Sequence, residues 1–546
     1  MKNQIQFSIL FIVLGFYSLQ AQVTQEWVAR YNGPGNGSDF AYSLAVYSSG
    51  NVYVTGHSTG SGTGNDYATI KYNSSGVQQW AQRYSGTGNT NDVAHSIAVD
   101  DSENVYVAGG CESGMGYYSD FATIKYNSSG IQQWVQRYNG PGNGDDRASS
   151  LAVDDSGNIY VTGSSRGIGS DDDYATIKYN SSGVEQWVQR YNGPGNNYYD
   201  YASSVAVDSS GNVYVTGLSI GSTWDFATIK YNSSGVQQWI RRYSKAPPKM
   251  NYLPSLAVSS GNVYVTGQSL SSDYATIKYN SSGDQLWIQS YNGTGNSHDL
   301  PTSIAVDSLG NVYVTGSSTG SGIGQDYATI KYNSSGIQQW VQRYDGPANN
   351  HDEARSIEVD GSGNIYVTGY SPGIETGNDC ASIKYSSSGD QLWVQRYNGP
   401  GNFSDGAHSL AVDDYGIVYV TGGSFGIGSG YDYATIKYSQ LTGITQTSNS
   451  IPEKFSLSQN YPNPFNPVTN LEFGIPSAAG GLGFVSLKVY NMLGKEVATL
   501  VNSNLNAGNY NYQLSTDDYQ LTSGVYFYKL AVEGNIIDTK RMVVLK

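Results

Sequence analysis

Charge, cysteine and histidine are all scarce in this sequence. Charged residues make up 13% of its 546 positions, and it has two cysteines and five histidines. No HExxH, GxSxG or paired Cys/His spacing occurs, so the sequence lacks the motifs of the common zinc and serine hydrolases. After residue 16 no stretch approaches the roughly 20 apolar residues that span a bilayer, so we expect no transmembrane segment and a soluble chain after export.

Positive charge is also in short supply. The 29 Lys and Arg residues face 44 Asp and Glu residues, which gives a net charge of −15. Nucleic-acid backbones and anionic membranes bind positive surfaces, so neither is an expected partner. At the N-terminus, Lys2, the apolar run at 7–16 and the small residue Ala21 predict a signal peptide over residues 1–21.

What the sequence does contain is repetition. Four segments of alternating strand character, typified by "SLAVD", "NVYVTG", "DYATIKY" and "QQWVQRY", recur in order about every fifty residues. The second and third kinds each occur eight times, starting at 51 and 66 in the first copy and at 417 and 432 in the last. Four strands per repeat of this length predict an all-β, eight-bladed β-propeller over residues 22–438.

The tryptophans predict how the ring closes. The repeat tryptophans are Trp27, Trp80, Trp134, Trp187, Trp239, Trp287, Trp340 and Trp393. Trp27 precedes every other repeat element, and the eighth copy has no tryptophan strand of its own. With "SLAV" innermost and the tryptophan strand outermost, residues 27–31 supply the missing outer strand of blade eight. The N-terminus is thus expected to close the ring, and the tryptophans to belong to the scaffold.

The two cysteines lie in the second and seventh repeats, three steps apart around such a ring. Bridged Cα atoms must approach within about 7 Å. We therefore expect Cys111 and Cys380 to be free, buried thiols.

These residues carry a family resemblance. The combination of "DYATIKYNSSGVQQWVQRYNGPGNG" with "SLAVDSSGNVYVTG" resembles the bacterial β-propeller repeat known as SBBP, over about residues 27–438. The resemblance implies a propeller and no single activity, because propellers carry enzymes and binding proteins alike.

A different module follows the repeats. Residues 439–453 read as a Ser/Thr/Gln linker, and residues 454–546 as short strands that predict a small Ig-like β-sandwich. "YPNPFNP" at 461–467, "VYNMLGKEV" at 489–497 and the terminal "KRMVVLK" resemble the type A C-terminal sorting domain of type IX secretion. That resemblance implies the type IX machinery as a partner, removal of the domain, and a secreted or outer-membrane surface location.

The long loops are expected on one face of the ring. They join the outer strand to the next blade and the second strand to the third, and each carries a recurrent aspartate. The two series are Asp66, Asp120, Asp173, Asp225, Asp273, Asp326, Asp379 and Asp432, and Asp39, Asp92, Asp146, Asp200, Asp299, Asp352 and Asp405. We expect these aspartates to form Asx-type turns, with an acidic rim or cation ligands as alternatives. The loop histidines His57, His95, His298, His351 and His408 are expected to be solvated.

A binding site should break the symmetry of the repeats. Blades four and five break it most, through "RRYSKAPPKMNYLPS" at 241–255, which includes Arg241 and Arg242, and through Tyr198, Tyr199 and Trp224. Aromatic platforms beside polar groups suit sugar rings, so these five residues form the predicted ligand site, against loop packing as the alternative.

The sequence as a whole predicts a secreted or cell-surface binding or adhesion module, with glycans or a surface protein as ligand and without cofactor, metal or catalytic residues. The alternative is an extracellular polysaccharide-active enzyme, since cleavage of a glycosidic bond needs only a suitably spaced carboxylate pair.

Overall fold

The computed structural model describes residues 23–87, 90–112, 118–195, 198–221, 223–246, 253–320, 324–414, 416–440, 444–448, 451–477, 482–516, 519 and 521–545. The predicted signal peptide lies outside them. The chain divides into two compact units, residues 24–439 and a unit built from residue 440 onward. The described residues form strands and turns, and none of them belongs to a helix that could cross a membrane.

The larger unit consists of eight four-stranded antiparallel sheets, which confirms the predicted all-β propeller. Blades one to three contain β2 (Asp39–Val46), β3 (Val52–Thr59), β4 (Asn65–Tyr72) and β5 (Gln78–Tyr84); β6 (Asp92–Val99), β7 (Val105–Glu112), β8 (Ser119–Tyr126) and β9 (Gln132–Tyr138); and β10 (Asp146–Val153), β11 (Ile159–Arg166), β12 (Asp172–Tyr179) and β13 (Glu185–Tyr191).

Blades four to six follow the same order. They contain β14 (Asp200–Val207), β15 (Val213–Ile220), β16 (Trp224–Tyr231) and β17 (Gln237–Ala246); β18 (Ser255–Ser259), β19 (Asn262–Gln268), β20 (Tyr274–Tyr279) and β21 (Gln285–Tyr291); and β22 (Asp299–Val306), β23 (Val312–Thr319), β24 (Gln325–Tyr332) and β25 (Gln338–Tyr344).

Blade seven contains β26 (Glu353–Val359), β27 (Ile365–Gly373), β28 (Gly377–Tyr385) and β29 (Gln391–Tyr397). Blade eight contains β30 (Asp405–Val412), β31 (Val418–Phe425) and β32 (Tyr431–Gln440), and its outer strand is β1 (Val23–Tyr31). The predicted closure by the N-terminal strand is therefore confirmed.

Tryptophan joins each blade to the next. The Trp80 indole Nε1 donates a hydrogen bond to the Ser128 carbonyl in the β8–β9 turn, at 3.1 Å. Gly130 in that turn has φ +79°, and a Cβ there would lie 2.7 Å from the Trp80 ring. The glycine of the "NSSG" turn is thus required both by its left-handed backbone and by the neighbouring tryptophan. This confirms the tryptophans as scaffold.

The hydrophobic core lies between blades. Tyr53 and Tyr67 of blade one pack with Ile97, Val107 and Ile124 of blade two, and the same pattern recurs around the ring. Both cysteines are buried and free, as predicted.

The smaller unit contains two four-stranded sheets around one core. One sheet has the order β33 (Ile444–Ser448), β38 (Gly508–Ser515), β35 (Val468–Ile475) and β34 (Ser456–Leu457). The other has the order β37 (Glu496–Asn506), β36 (Leu482–Tyr490), β39 (Gly524–Val532) and β40 (Asn535–Val544). Strand β33 comes from the segment predicted as a linker, so the structured part of this unit begins before residue 454. An Ig-like strand order stays a prediction.

Candidate functional site

The innermost strands place one residue per blade around the axis of the ring. Seven of them contain a β-bulge at the same position, as between Ala41 and Ser43 in β2. The bulge gives one residue of each strand an orientation that regular alternation does not provide. These bulge residues are Tyr42, His95, Ser149, Ser203, Thr302, Arg355 and His408.

The bulge residues are unequal. Blades three, four and six carry small hydroxyl side chains, whereas blades seven, eight, one and two carry Arg355, His408, Tyr42 and His95. The Tyr42 ring lies 5.5 Å from the His408 ring and 5.7 Å from the His95 ring, measured between centroids. We call these four residues the channel arc, because they form one side of the central channel.

The two histidines of the channel arc have lowered pKa values. Desolvation lowers the pKa of His95 and of His408 to about 4, and the positive charge of Arg147 or Arg355, respectively, contributes further. His57 lies on β3 beside Tyr42, with 5.5 Å between their rings. His57, His95 and His408 lie on strands, so the prediction of loop positions was wrong for all three. His95 is exposed, whereas His57 and His408 are half-buried.

A cleft opens next to the channel arc. It measures about 190 Å³ and is lined by Phe40, Tyr370, Asn378, Ser404, Asp405, Gly406, His408, Gly423 and Tyr431, from blades one, seven and eight. We call it the blade-eight cleft. Four of the nine lining residues carry aromatic rings, and the Phe40 and Tyr431 rings lie 4.6 Å apart.

Two glycines create this cleft. Gly406 on β30 pairs with Gly423 on β31, whereas blade one has Phe40 and His57 at the same two positions. A Cβ at Gly406 would meet only the Tyr370 Cβ, at 3.7 Å, so the space beside Gly406 is open. A Cβ at Gly423 would lie 2.6 Å from the Phe40 ring, which occupies that side.

The polar groups of the cleft are oriented by further contacts. The Tyr370 hydroxyl donates to Glu353 Oε2 at 2.7 Å, and Glu353 Oε1 lies 2.8 Å from Arg355 Nε. Asp405 accepts hydrogen bonds from the backbone N–H groups of Gly399 and Phe425, at 2.7 and 3.1 Å. The Asn378 and Ser404 side chains provide an amide and a hydroxyl. Aromatic walls with a few polar groups suit the binding of a small ring-shaped ligand.

The predicted site at blade four is only partly assembled. Tyr198 and Tyr199 are exposed, and Tyr199 stacks on Tyr201 with 5.7 Å between ring centroids. Tyr199 lies beside Arg166 of blade three. Trp224 is half-buried against the cluster of Leu218, Phe226 and Ala275, of which Ala275 belongs to blade five. Tyr199 and Trp224 therefore belong to different sides of the blade.

The two predicted arginines are engaged within the scaffold. Arg242 Nη2 lies 2.6 Å from Asp225 Oδ2, and the equivalent arginine of other blades forms the same ion pair, as Arg83 does with Asp66. Arg241 Nε donates to the Gly283 carbonyl at 2.5 Å, and its guanidinium lies over the Trp239 ring.

The recurrent aspartates form neither Asx turns nor an acidic rim. Those that follow the second strand are buried or nearly so and, in seven blades, pair with an arginine of the outer strand. Those that begin an inner strand are buried and accept backbone hydrogen bonds, as Asp39 does from Gly33 and Thr59. Asx turns are formed elsewhere, for example by Asn73 with the N–H groups of Ser75 and Val77. The sequence pattern was misread because it does not reveal burial.

Comparison with known families agrees with this architecture. The β-propeller repeat named SBBP matches residues 26–62, 79–109, 133–169, 186–222, 290–324 and 339–374, and the secretion system C-terminal sorting domain matches residues 459–545. The chain contains SBBP β-propeller repeats and a C-terminal type IX sorting domain. The sorting domain implies interaction with the type IX machinery and export to the medium or the cell surface.

Solved structures resemble this propeller protein at low identity. The β-propeller domain of the trilobed protease from Pyrococcus furiosus has 9% identity and a TM-score of 0.37, with 64% of this chain and 97% of that chain covered. The BP39L lectin from Burkholderia pseudomallei has 8% identity and a TM-score of 0.42, with 67% and 98% covered. A neuraminidase-like protein of the bat influenza virus H18N11 has 11% identity and a TM-score of 0.31, with 80% and 97% covered. No curated protein matches the sequence.

Proposed function

We propose that this secreted propeller is a non-catalytic binding or adhesion module whose ligand is a glycan, and that the blade-eight cleft is its binding site. The observation that carries the proposal is the pair Gly406 and Gly423, which opens an aromatic-walled space at one place in an otherwise repetitive ring. If the scaffold required this glycine pair, the pair would recur in every blade. A binding site for one ligand needs the pair in one blade only.

The chemistry of the walls supports a sugar ring as ligand. The apolar face of a pyranose stacks on aromatic rings such as Phe40, Tyr370 and Tyr431, and its hydroxyls pair with groups such as the Asn378 amide and the Ser404 hydroxyl. Desolvation lowers the pKa of His408 to about 4, which favours the neutral imidazole beside such a ligand at physiological pH. The five predicted residues at blade four are a second location for the same function.

The test is a glycan and polysaccharide binding screen of residues 22–546 and its variants. Gly406→Leu fills the cleft, and the scaffold tolerates leucine there because Leu300 occupies the same position in blade six. Arg147→Leu, at that position in blade three, is the matched control. We expect Gly406→Leu to lose binding and Arg147→Leu to keep it.

A third variant decides between the two locations. Replacing Tyr198, Tyr199 and Trp224 together by alanine should leave binding unchanged if the ligand occupies the blade-eight cleft. Loss in this triple variant with retention in Gly406→Leu would move the site to blade four. No glycan binding by the unsubstituted protein would favour a structural or protein-binding propeller instead.

A polysaccharide-active enzyme is the second candidate, and Glu358 is the observation that favours it. Burial raises the pKa of this carboxyl, on inner strand β26, to about 7, which suits a general acid at neutral pH. Its nearest carboxyl along the strand is Glu353, five residues away or roughly 16 Å of extended chain, beyond the 5–10 Å of glycosidase pairs. Product formation that disappears in Glu358→Gln would promote the enzyme.

A further inference from the structure

Three aspartates cluster at the contact between blades six and seven, where the sequence differs from that of the other blades. Asp326 on β24, Asp345 in the β25–β26 loop and Asp352 before β26 each offer an oxygen, and these oxygens all lie within 4.8 Å of one another. Asp352 is fully buried, Asp326 is half-buried and Asp345 is exposed. Acidic residues this close repel one another unless something between them compensates the charge.

The first departure concerns Asp352. In six other blades the equivalent aspartate Oδ1 accepts a backbone N–H at the end of the second strand, from Thr59, Glu112, Arg166, Ile220, Thr319 or Phe425. Blade seven has Pro372 at that position, and proline has no N–H. Asp352 Oδ1 is buried and has no hydrogen-bond partner of acceptable geometry among the described residues. Its Oδ2 accepts from the Gly346 N–H at 3.1 Å.

The second departure concerns Asp345. The equivalent residue is asparagine in blades eight, two, five and seven, where its amide donates to a second asparagine four positions later, as Asn32 does to Asn36 at 2.7 Å. Asp345 keeps the shape of asparagine, but a carboxylate in place of the amide removes the donor. Asn349, four positions later, is retained.

The third departure concerns Asp326. In blades one, three, four and five a hydroxyl from the preceding loop donates to the equivalent aspartate, as Thr63 Oγ1 does to Asp66 Oδ2 at 2.9 Å. The residue that corresponds to Thr63 is Ile323, which has no hydroxyl. Asp326 Oδ2 still accepts from Arg343 Nη2 at 2.7 Å.

Among the described residues, Asp352 thus lacks the N–H donor that six other blades supply, and Asp345 replaces an amide donor by a second oxygen. Ile323 offers no hydroxyl to Asp326, whose Oδ2 keeps its bond to Arg343. Burial raises the pKa of Asp352, and the charges of Asp345 and Asp326 raise it further, although the Ser371 hydroxyl and the Gly346 N–H oppose this. The pKa of Asp345 is also raised, by desolvation and by Asp326. Because the three carboxylates lie within 4.8 Å of one another, the cluster is costly as three bare anions.

We propose that Asp326, Asp345 and Asp352 bind a calcium ion between blades six and seven. Each of the three aspartates offers one oxygen within 4.8 Å of the other two, and water completes the six to eight ligands that calcium takes. Calcium accepts such an irregular, part-exposed set of oxygens, whereas magnesium requires near-octahedral geometry. An ion there ties the outer part of blade six to the inner strand of blade seven.

Calorimetric titration of chelator-treated protein, residues 22–546, with CaCl₂ tests the site. We expect one ion per chain with a dissociation constant of about 0.1–1 mM, the range of extracellular calcium modules. Asp345→Asn restores the residue of the other loops and should fold normally, but it should weaken binding at least about tenfold. Pro372→Thr restores the missing N–H donor and should weaken binding as well.

The matched control is Asn398→Asp, which places an aspartate in the next loop, where Asp405 Oδ1 keeps its bond to the Phe425 N–H. This variant should bind one ion with unchanged affinity. The proposal is overturned if the unsubstituted protein shows no heat of binding up to about 10 mM CaCl₂. Equal affinity in Asp345→Asn, confirmed folded by circular dichroism, would overturn it too.

Discussion

Arg30 Nη2 lies 2.8 Å from Asp432 Oδ2, which joins two residues that are 402 positions apart in the chain. Six of the other seven blades form this pair between residues 17 positions apart, as with Arg83 and Asp66. The first strand is therefore held in blade eight by the same ion pair that holds the outer strand in those six blades. Lys437 and Glu26, 2.9 Å apart, add a second link between the chain ends.

Deletion of residues 22–31 should lower the thermal midpoint of unfolding by several degrees. The deletion removes Trp27, both ion pairs and the outer strand of blade eight, and it exposes the edge of β32 to self-association. Calorimetry and light scattering measure the two effects. Arg30→Gln, which removes only one pair, should reduce the free energy of unfolding by about 1–2 kcal/mol. An unchanged midpoint in the deletion would contradict closure by β1.

Gly130→Ala should destabilise the protein by about 2–4 kcal/mol. The alanine would adopt a strained left-handed backbone conformation, and its Cβ would also clash with the Trp80 ring. Gly157→Ala is the matched control. Gly157 has φ +72°, but its Cβ would meet only Ser181 Cβ at 3.4 Å, so only the backbone strain of about 1 kcal/mol applies. Chemical denaturation of both variants separates the two contributions. Equal losses would show that the tryptophan contact is unimportant.

Glu358 should make the stability depend on pH. The inner strands of the other seven blades have alanine at this position, and blade seven has Glu358. Desolvation raises the pKa of Glu358 from 4.5 to about 7. The unfolded chain releases this proton near pH 4.5, whereas the folded protein keeps it to about pH 7. The native state is therefore favoured at low pH, and stability declines as the pH rises through 7.

The measurement is the unfolding midpoint at pH 6 and pH 8 for the unsubstituted protein and for Glu358→Ala. Because the Glu358 side chain is partly exposed and solvent screens its charge, we expect a loss on the order of 1 kcal/mol, which the variant abolishes. Arg355 on the same strand is paired with Glu353, so it does not neutralise Glu358. Parallel pH profiles for the two proteins would assign the effect to other groups.

Both thiols should resist labelling in the native protein. Burial raises the pKa of Cys111 to about 12 and raises that of Cys380 as well, so neither forms a thiolate at neutral pH. A thiol reagent at pH 8 should react with neither cysteine until denaturant is added, when it should react with both. A reducing agent should leave the midpoint of unfolding unchanged, since no disulfide joins them.

The sequence by itself determined the scaffold. Alternation within each segment, the glycine turns and the number of copies predicted four strands per blade, eight blades and closure by residues 27–31. These features are local or periodic, and a strand pattern repeated eight times leaves little freedom in how the strands pair.

The tertiary structure decided which of the residues that differ between blades come together in one site. A bulge brings Tyr42, His95 and His408 together around the axis, and the ring places Gly406 beside residues of blades one and seven. Blade four looked the most irregular in sequence, yet its arginines are engaged in the scaffold. Side chains from three blades meet only after the ring has closed, so burial and proximity, which decide what a side chain can bind, were set by packing between blades.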